Sequence, residues 1–199
     1  MQTELFKAKQ GFVTGAIILM AMVRIGLSLC PGASLISNFS PLGAMALFGG
    51  ACLQGRGRSL ALPLLTLFLS DLVLSYTVYA GQRHGLLYGG WYWTYGAFAL
   101  MTLTGRLVLR PVTVTRMVLA TVICVTIHWL VTDLSWEMVA GRGNLFLSRY
   151  VASLALAIPF EWRFLMGTLV YGLIFAGAMV WASRWQAQTP AWLNQDARS

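Results

Sequence analysis

Successive runs of about 20 apolar residues constrain this chain more than any other feature, because a helix of that length crosses the roughly 30 Å hydrocarbon core of a bilayer. Six segments approach or meet that length: 11–29, 41–54, 59–79, 91–109, 113–134 and 163–184. The second is short and glycine-rich (Gly43, Gly49, Gly50), so it is expected to be tilted, partly broken or shielded by neighbours. A further apolar stretch, 145–159, carries Arg149 and stops at Pro159. It is too short to span comfortably and is expected to form an external helix lying on or dipping into the bundle. Residues 187–199 read as a tail. The expected fold is all-α, one polytopic membrane domain over 1–199 with six transmembrane helices.

Composition points the same way. Hydrophobic residues make up 58% of the chain and charged residues 10%. Soluble domains carry about a quarter charged residues, so most of this exterior must face lipid. The net charge of +8 comes from 14 Lys and Arg against 6 Asp and Glu. Those basic residues sit in short gaps between apolar runs, which marks topology rather than nucleic-acid binding. With the N-terminus inside, the cytoplasmic side holds Lys7, Lys9, Arg56, Arg58, Arg106, Arg110, Arg116, Arg184 and Arg198. The outer side holds Arg24, Arg83, Arg142, Arg149 and Arg163. That bias is the expected one and puts both termini in the cytoplasm. The N-terminus is like a signal sequence, but Arg24 interrupts its apolar run and Leu29 is too large for a lipoprotein cleavage site. It is read as an uncleaved first helix.

Ionisable residues inside a membrane are costly, and each is a functional candidate. Arg24 lies about 20 Å from the inner end of the first helix, and Asp71 about 18 Å up the third. His128 and Asp133 lie about 17 and 24 Å up the fifth. All four fall in the outer half, which suggests a polar cavity opening outward. Arg24 would pair with Asp71 or Asp133, and such a pair would serve equally as a structural staple between helices. On the fifth helix His128, Thr132 and Trp136 share one face, and Trp129, Asp133 and Glu137 the adjacent one. The candidate ligand-binding set is Arg24, Asn38, Ser40, Asp71, His128, Thr132, Asp133 and Trp136. Tyr and Trp crowd the outer side beyond an interfacial belt, and would stack a flat organic ligand. Gly11 and Gly15, four apart at the cytoplasmic end of the first helix, would let another helix approach closely.

Chemistry of other kinds is not indicated. Cys30, Cys52 and Cys124 have no metal-ligand or disulfide spacing, and no cofactor is implied. The chain has no GxxxxGK[ST] loop, GxSxG elbow or HExxH pair, so neither an ATPase nor a hydrolase is expected. His128 and Asp133 are five apart and make a poor catalytic dyad.

One stretch goes further. Residues Asn38 to Ala51, reading NFSPLGAMALFGGA, resemble the opening signature of a family of uncharacterised bacterial membrane proteins of the DUF6580 type. Leu62-Pro63-Leu64, Leu69-Ser70-Asp71-Leu72, Gly105-Arg106, Val131-Thr132 and Ile158-Pro159-Phe160 follow in order. The chain departs from that pattern at Asp133, where the family has Asn, and in the loop 80–92. The family is similar to the substrate-binding S-components of energy-coupling-factor vitamin transporters. The resemblance implies an S-component-like bundle in the bacterial inner membrane. It also implies an outward-facing site closed by loops, and a coupling transmembrane subunit with ATPases docked on small residues of the first helix. Gly11 and Gly15 stand at the comparable place, as Gly rather than Ala. The function expected on this basis is uptake of a vitamin-like small molecule, for which a corrinoid or another flat, partly polar compound fits. The alternatives are a structural or accessory subunit of a larger membrane complex, and an intramembrane enzyme.

Overall fold

The computed structural model describes residues 2–30, 39–140 and 146–188, with the backbone alone at 2–9, 56, 135–140 and 182–188. Among these residues are six α-helices: α1 (Gln2–Leu29), α2 (Leu42–Cys52), α3 (Arg56–Tyr76), α4 (Trp91–Val108), α5 (Val114–Ala140) and α6 (Phe146–Gln188). Each of the six expected segments is helical. A short hairpin, β1 (Arg83–His84) and β2 (Leu87–Tyr88), precedes α4. Its strands pair antiparallel, Arg83 opposite Tyr88 and His84 opposite Leu87. Gly85 takes the first turn position with φ +80°, a conformation that a side chain would oppose.

Four helices are long and apolar enough to cross a membrane, over Gln10–Leu29, Gly57–Tyr76, Val114–Leu134 and Phe146–Trp181. Their outward faces carry large apolar side chains: Ile18, Leu19 and Met22 on α1, Leu65 and Leu69 on α3, Leu119 and Val122 on α5, Leu173 and Ile174 on α6. These features are those of a membrane protein.

The short α2 is the axis of the bundle. It packs against all five other helices, and every residue from Gly43 to Ala51 is buried. A helix that is apolar on all sides belongs inside. Helices in lipid associate through close packing rather than hydrophobic exclusion, so small residues set their approach. A Cβ on Gly50 would lie 1.8 Å from the carbonyl oxygen of Thr102 on α4, and one on Gly105 of α4 would lie 2.1 Å from that of Leu47. On other sides, Gly43 meets Thr168 of α6 and Gly49 meets Pro63 of α3. Phe48 fills the remaining space against Phe175, their ring centroids 4.3 Å apart. The glycines of the NFSPLGAMALFGGA stretch are thus packing contacts on three neighbouring helices.

Two side chains satisfy the free carbonyls at the C-terminal end of α2. Arg110, just beyond α4, donates to the carbonyl oxygens of Gly50, Ala51 and Leu53 at 3.0, 2.6 and 3.1 Å. Gln10 donates to that of Cys52 at 2.7 Å and accepts the Gln54 N–H at 3.1 Å. A cation here also complements the negative end of the helix dipole.

Pro159 does not end a helix. The stretch expected to lie outside, 145–159, and the expected sixth span, 163–184, belong to the single 43-residue helix α6 with Pro159 inside it. Proline removes one backbone donor, whereas a break in an apolar surrounding would orphan several groups with no water to take them. At about 1.5 Å per residue α6 is roughly twice as long as a bilayer core is thick.

Candidate functional site

The predicted polar residues divide into two clusters on different helices. In the first, Arg24 of α1 reaches Asp71 of α3, with Nη2 2.6 Å from Oδ1. Its Nη1 donates to Ser70 Oγ at 2.5 Å. Tyr88 of β2 and Tyr95 of α4 donate their hydroxyls to Asp71 Oδ2 at 3.3 and 3.1 Å. Asp71 has no exposed surface, and the Arg24 side chain retains 12%. Burial, and the Asp71 carboxylate beside it, push the Tyr88 hydroxyl well above the ordinary tyrosine range, so it remains a donor. The hairpin thereby closes over the carboxylate. Of the two partners expected for Arg24, Asp71 is the one it meets.

The second cluster lies between α5 and the first half of α6. His128 Nδ1 is 2.9 Å from Glu161 Oε1. Thr132 Oγ1 donates to the His128 carbonyl oxygen at 2.7 Å, one turn back along α5. Asp133 Oδ1 accepts from Ser153 of α6 at 2.7 Å, not from Arg24. The Trp129 indole N–H donates to the Leu154 carbonyl oxygen at 3.0 Å, and the Tyr150 hydroxyl to that of Leu130 at 2.7 Å. Beside these contacts runs an open groove of about 530 Å³. Most of its lining is apolar, from Ala152, Leu156, Ala157 and Phe160, and Thr132, Asp133, Arg149 and Ser153 bring polar groups to it. A pocket of that volume is in the range that takes small organic ligands.

The other predicted residues are placed as follows. Ser40 is buried, and its Oγ accepts the Leu42 N–H at 3.3 Å, at the first residue of α2. Its backbone packs where a Cβ on Gly167 would meet it at 2.8 Å, so α6 covers this turn. Asn38 lies outside the described residues, as does the side chain of Trp136. Gly11 and Gly15 face outward, and a Cβ added to either would have nothing within 4 Å.

Glu161 is not among the predicted residues, nor are Ser153, Tyr88 and Tyr95. The signal for Glu161 is an acid directly after Ile158-Pro159-Phe160. It reads as a loop residue when Pro159 is taken as a helix end, and as an intramembrane acid when α6 is continuous. The two tyrosines enter the sequence reading only as part of an aromatic excess, since nothing there ties a hairpin to Asp71.

Fold and site together define a helical membrane protein with a closed ion pair across one part of its bundle and an open, mainly apolar groove with a few polar side chains in another. The chain belongs to DUF6580, a family of unknown function, whose model matches residues 5–192. No curated protein matches it, and no solved structure does.

Proposed function

We propose that the chain is a substrate-binding membrane transport protein that takes up a vitamin-like small molecule, S-component-like, in the inner membrane of a bacterium. In this reading six helices cross the membrane and both termini are cytoplasmic. The observation that carries it is the groove of about 530 Å³ between α5 and α6, which contains two of the predicted residues, Thr132 and Asp133. With the N-terminus inside, α5 climbs outward from Val114 and α6 returns from Phe146. The polar part of the groove then stands at the outer end, where a ligand arrives from water. Asp133 and Arg149 bring opposite charges to one wall, which suits a ligand with both a donor and an anionic group.

The test is ligand carried through purification, identified by mass spectrometry, then titrated into Asp133→Asn and Arg149→Gln. Each substitution removes a charged hydrogen bond worth about 1.5–3 kcal/mol, so binding is expected to weaken about tenfold or more. The melting temperature should stay near that of the wild type. Unchanged affinity in both variants overturns the reading.

A second reading, a structural or accessory subunit of a larger membrane complex, draws on two other observations. The Arg24–Asp71 pair is sealed as a staple would be. Gly11 and Gly15 present a bare face of α1 to the outside of the bundle, where a helix of another subunit of such a complex would fit.

A further inference from the structure

We propose that Glu161, Trp129 and Trp162 form a second binding site, and that it takes an organic ammonium with an aromatic body. Glu161 is 8% exposed. Its Oε1 has the His128 imidazole at 2.9 Å, but among the described residues its Oε2 is shut off from solvent and has no hydrogen-bond partner. A buried carboxylate oxygen without a donor is costly, and such groups call for an explanation. Glu161 also lines a separate groove of about 230 Å³ between α5 and α6. The rest of that lining is chiefly apolar and aromatic, including Trp129, Trp162, Val125, Ile158 and Leu165.

The chemistry of the wall selects the occupant. An inorganic cation asks for several oxygen ligands. Among the described residues no group of three or more His, Cys, Asp or Glu is gathered to supply them. An organic ammonium needs less, one counter-charge and aromatic or apolar surface for its hydrocarbon. Tryptophan is the side chain whose ring best attracts such a cation, more so away from water. Trp129 is held in place by its N–H bond to the Leu154 carbonyl oxygen, whereas Trp162 is 62% exposed. A cation in the groove offsets the carboxylate's charge from across its wall, where the imidazole contact reaches Oε1 alone. The groove lies within the apolar spans Val114–Leu134 and Phe146–Trp181, so the cation must carry an apolar body of its own. The site shares no lining residue with the groove around Asp133, and the inference does not rest on the transport reading.

The experiment is equilibrium dialysis of labelled benzyltrimethylammonium against the full chain in maltoside micelles, with protein-free micelles as the blank. Saturable binding is expected, and its neutral carbon isostere neopentylbenzene should not compete. Glu161→Gln keeps the shape and removes the charge, and should weaken binding about tenfold or more. Trp162→Leu alters an exposed side chain, should fold normally, and should weaken binding by about threefold or more. If Glu161→Gln fails to fold, the Trp162→Leu result decides. Absence of saturable binding, equal competition by the neutral isostere, or wild-type affinity in Trp162→Leu or folded Glu161→Gln overturns the proposal.

Discussion

Asp71 has donors from three different elements around it, Arg24, Tyr88 and Tyr95, and no exposed surface. Removing one member of such a pair leaves the other charge buried and uncompensated. Arg24→Met is therefore expected to destabilise the protein by about 3–5 kcal/mol. The double variant Arg24→Met/Asp71→Leu removes both charges and should recover much of that loss. Thermal unfolding in detergent checks it, and a double variant no better than the singles would refute the staple. The sequence makes Asp71 and Arg24 visible as intramembrane charges of opposite sign at similar depth. It does not show the two tyrosines, because a hairpin folding back over α3 leaves no mark in helical periodicity. His128 is legible in the same way, and its partner Glu161 is not, because a proline two residues earlier reads as a helix end.

Among the elements, the crossing of α2 and α4 depends on two glycines that meet backbone rather than flexible side chains. Gly50→Ala puts a methyl group 1.8 Å from the Thr102 carbonyl oxygen, so the helices must part. The expected loss is about 1–3 kcal/mol or more. Gly177→Ala, on α6 with nothing within 4 Å, is the control, and should be neutral or stabilising by up to about 1 kcal/mol. A melting curve for each variant separates them, and equal melting points would contradict the tight crossing. The cap on α2 gives a second prediction. Arg110→Lys keeps the charge but not the planar fork that spans three carbonyls, and should recover only part of the roughly 2 kcal/mol or more lost in Arg110→Ala. Full recovery in the lysine variant would mean that charge alone matters.

For the complete bundle, the proposed orientation is tested by the native cysteines. Cys30 is exposed just after α1, Cys52 is half-buried at the far end of α2, and Cys124 is buried. A membrane-impermeant maleimide applied to intact cells should label Cys30 and neither of the others. Labelling of Cys52 from outside would reverse the topology. Docking is tested on α1. Gly15→Leu adds bulk where, among the described residues, a Cβ meets nothing from another element within 4 Å, so the purified protein should melt as the wild type does. Uptake should fall if a coupling subunit packs there, and ligand binding should persist.

Residue order alone is enough to make this chain helical and apolar enough for a membrane, and it locates the first five helices but not the unbroken α6, because lipid forces every backbone group into internal hydrogen bonds. It also singles out Arg24, Asp71, His128 and Asp133, since charge within an apolar run is conspicuous. Which of these meet is settled by packing in three dimensions. Arg24 pairs with Asp71 rather than Asp133, and His128 with Glu161, because those pairings depend on which helices are neighbours and not on spacing along one helix. Packing settles too that Pro159 is spanned by a continuous helix, since a proline's single missing donor costs less there than a broken helix. And it gives the glycines of α2 their purpose, for only contact between helices distinguishes a glycine that admits a neighbouring backbone from one that faces open space.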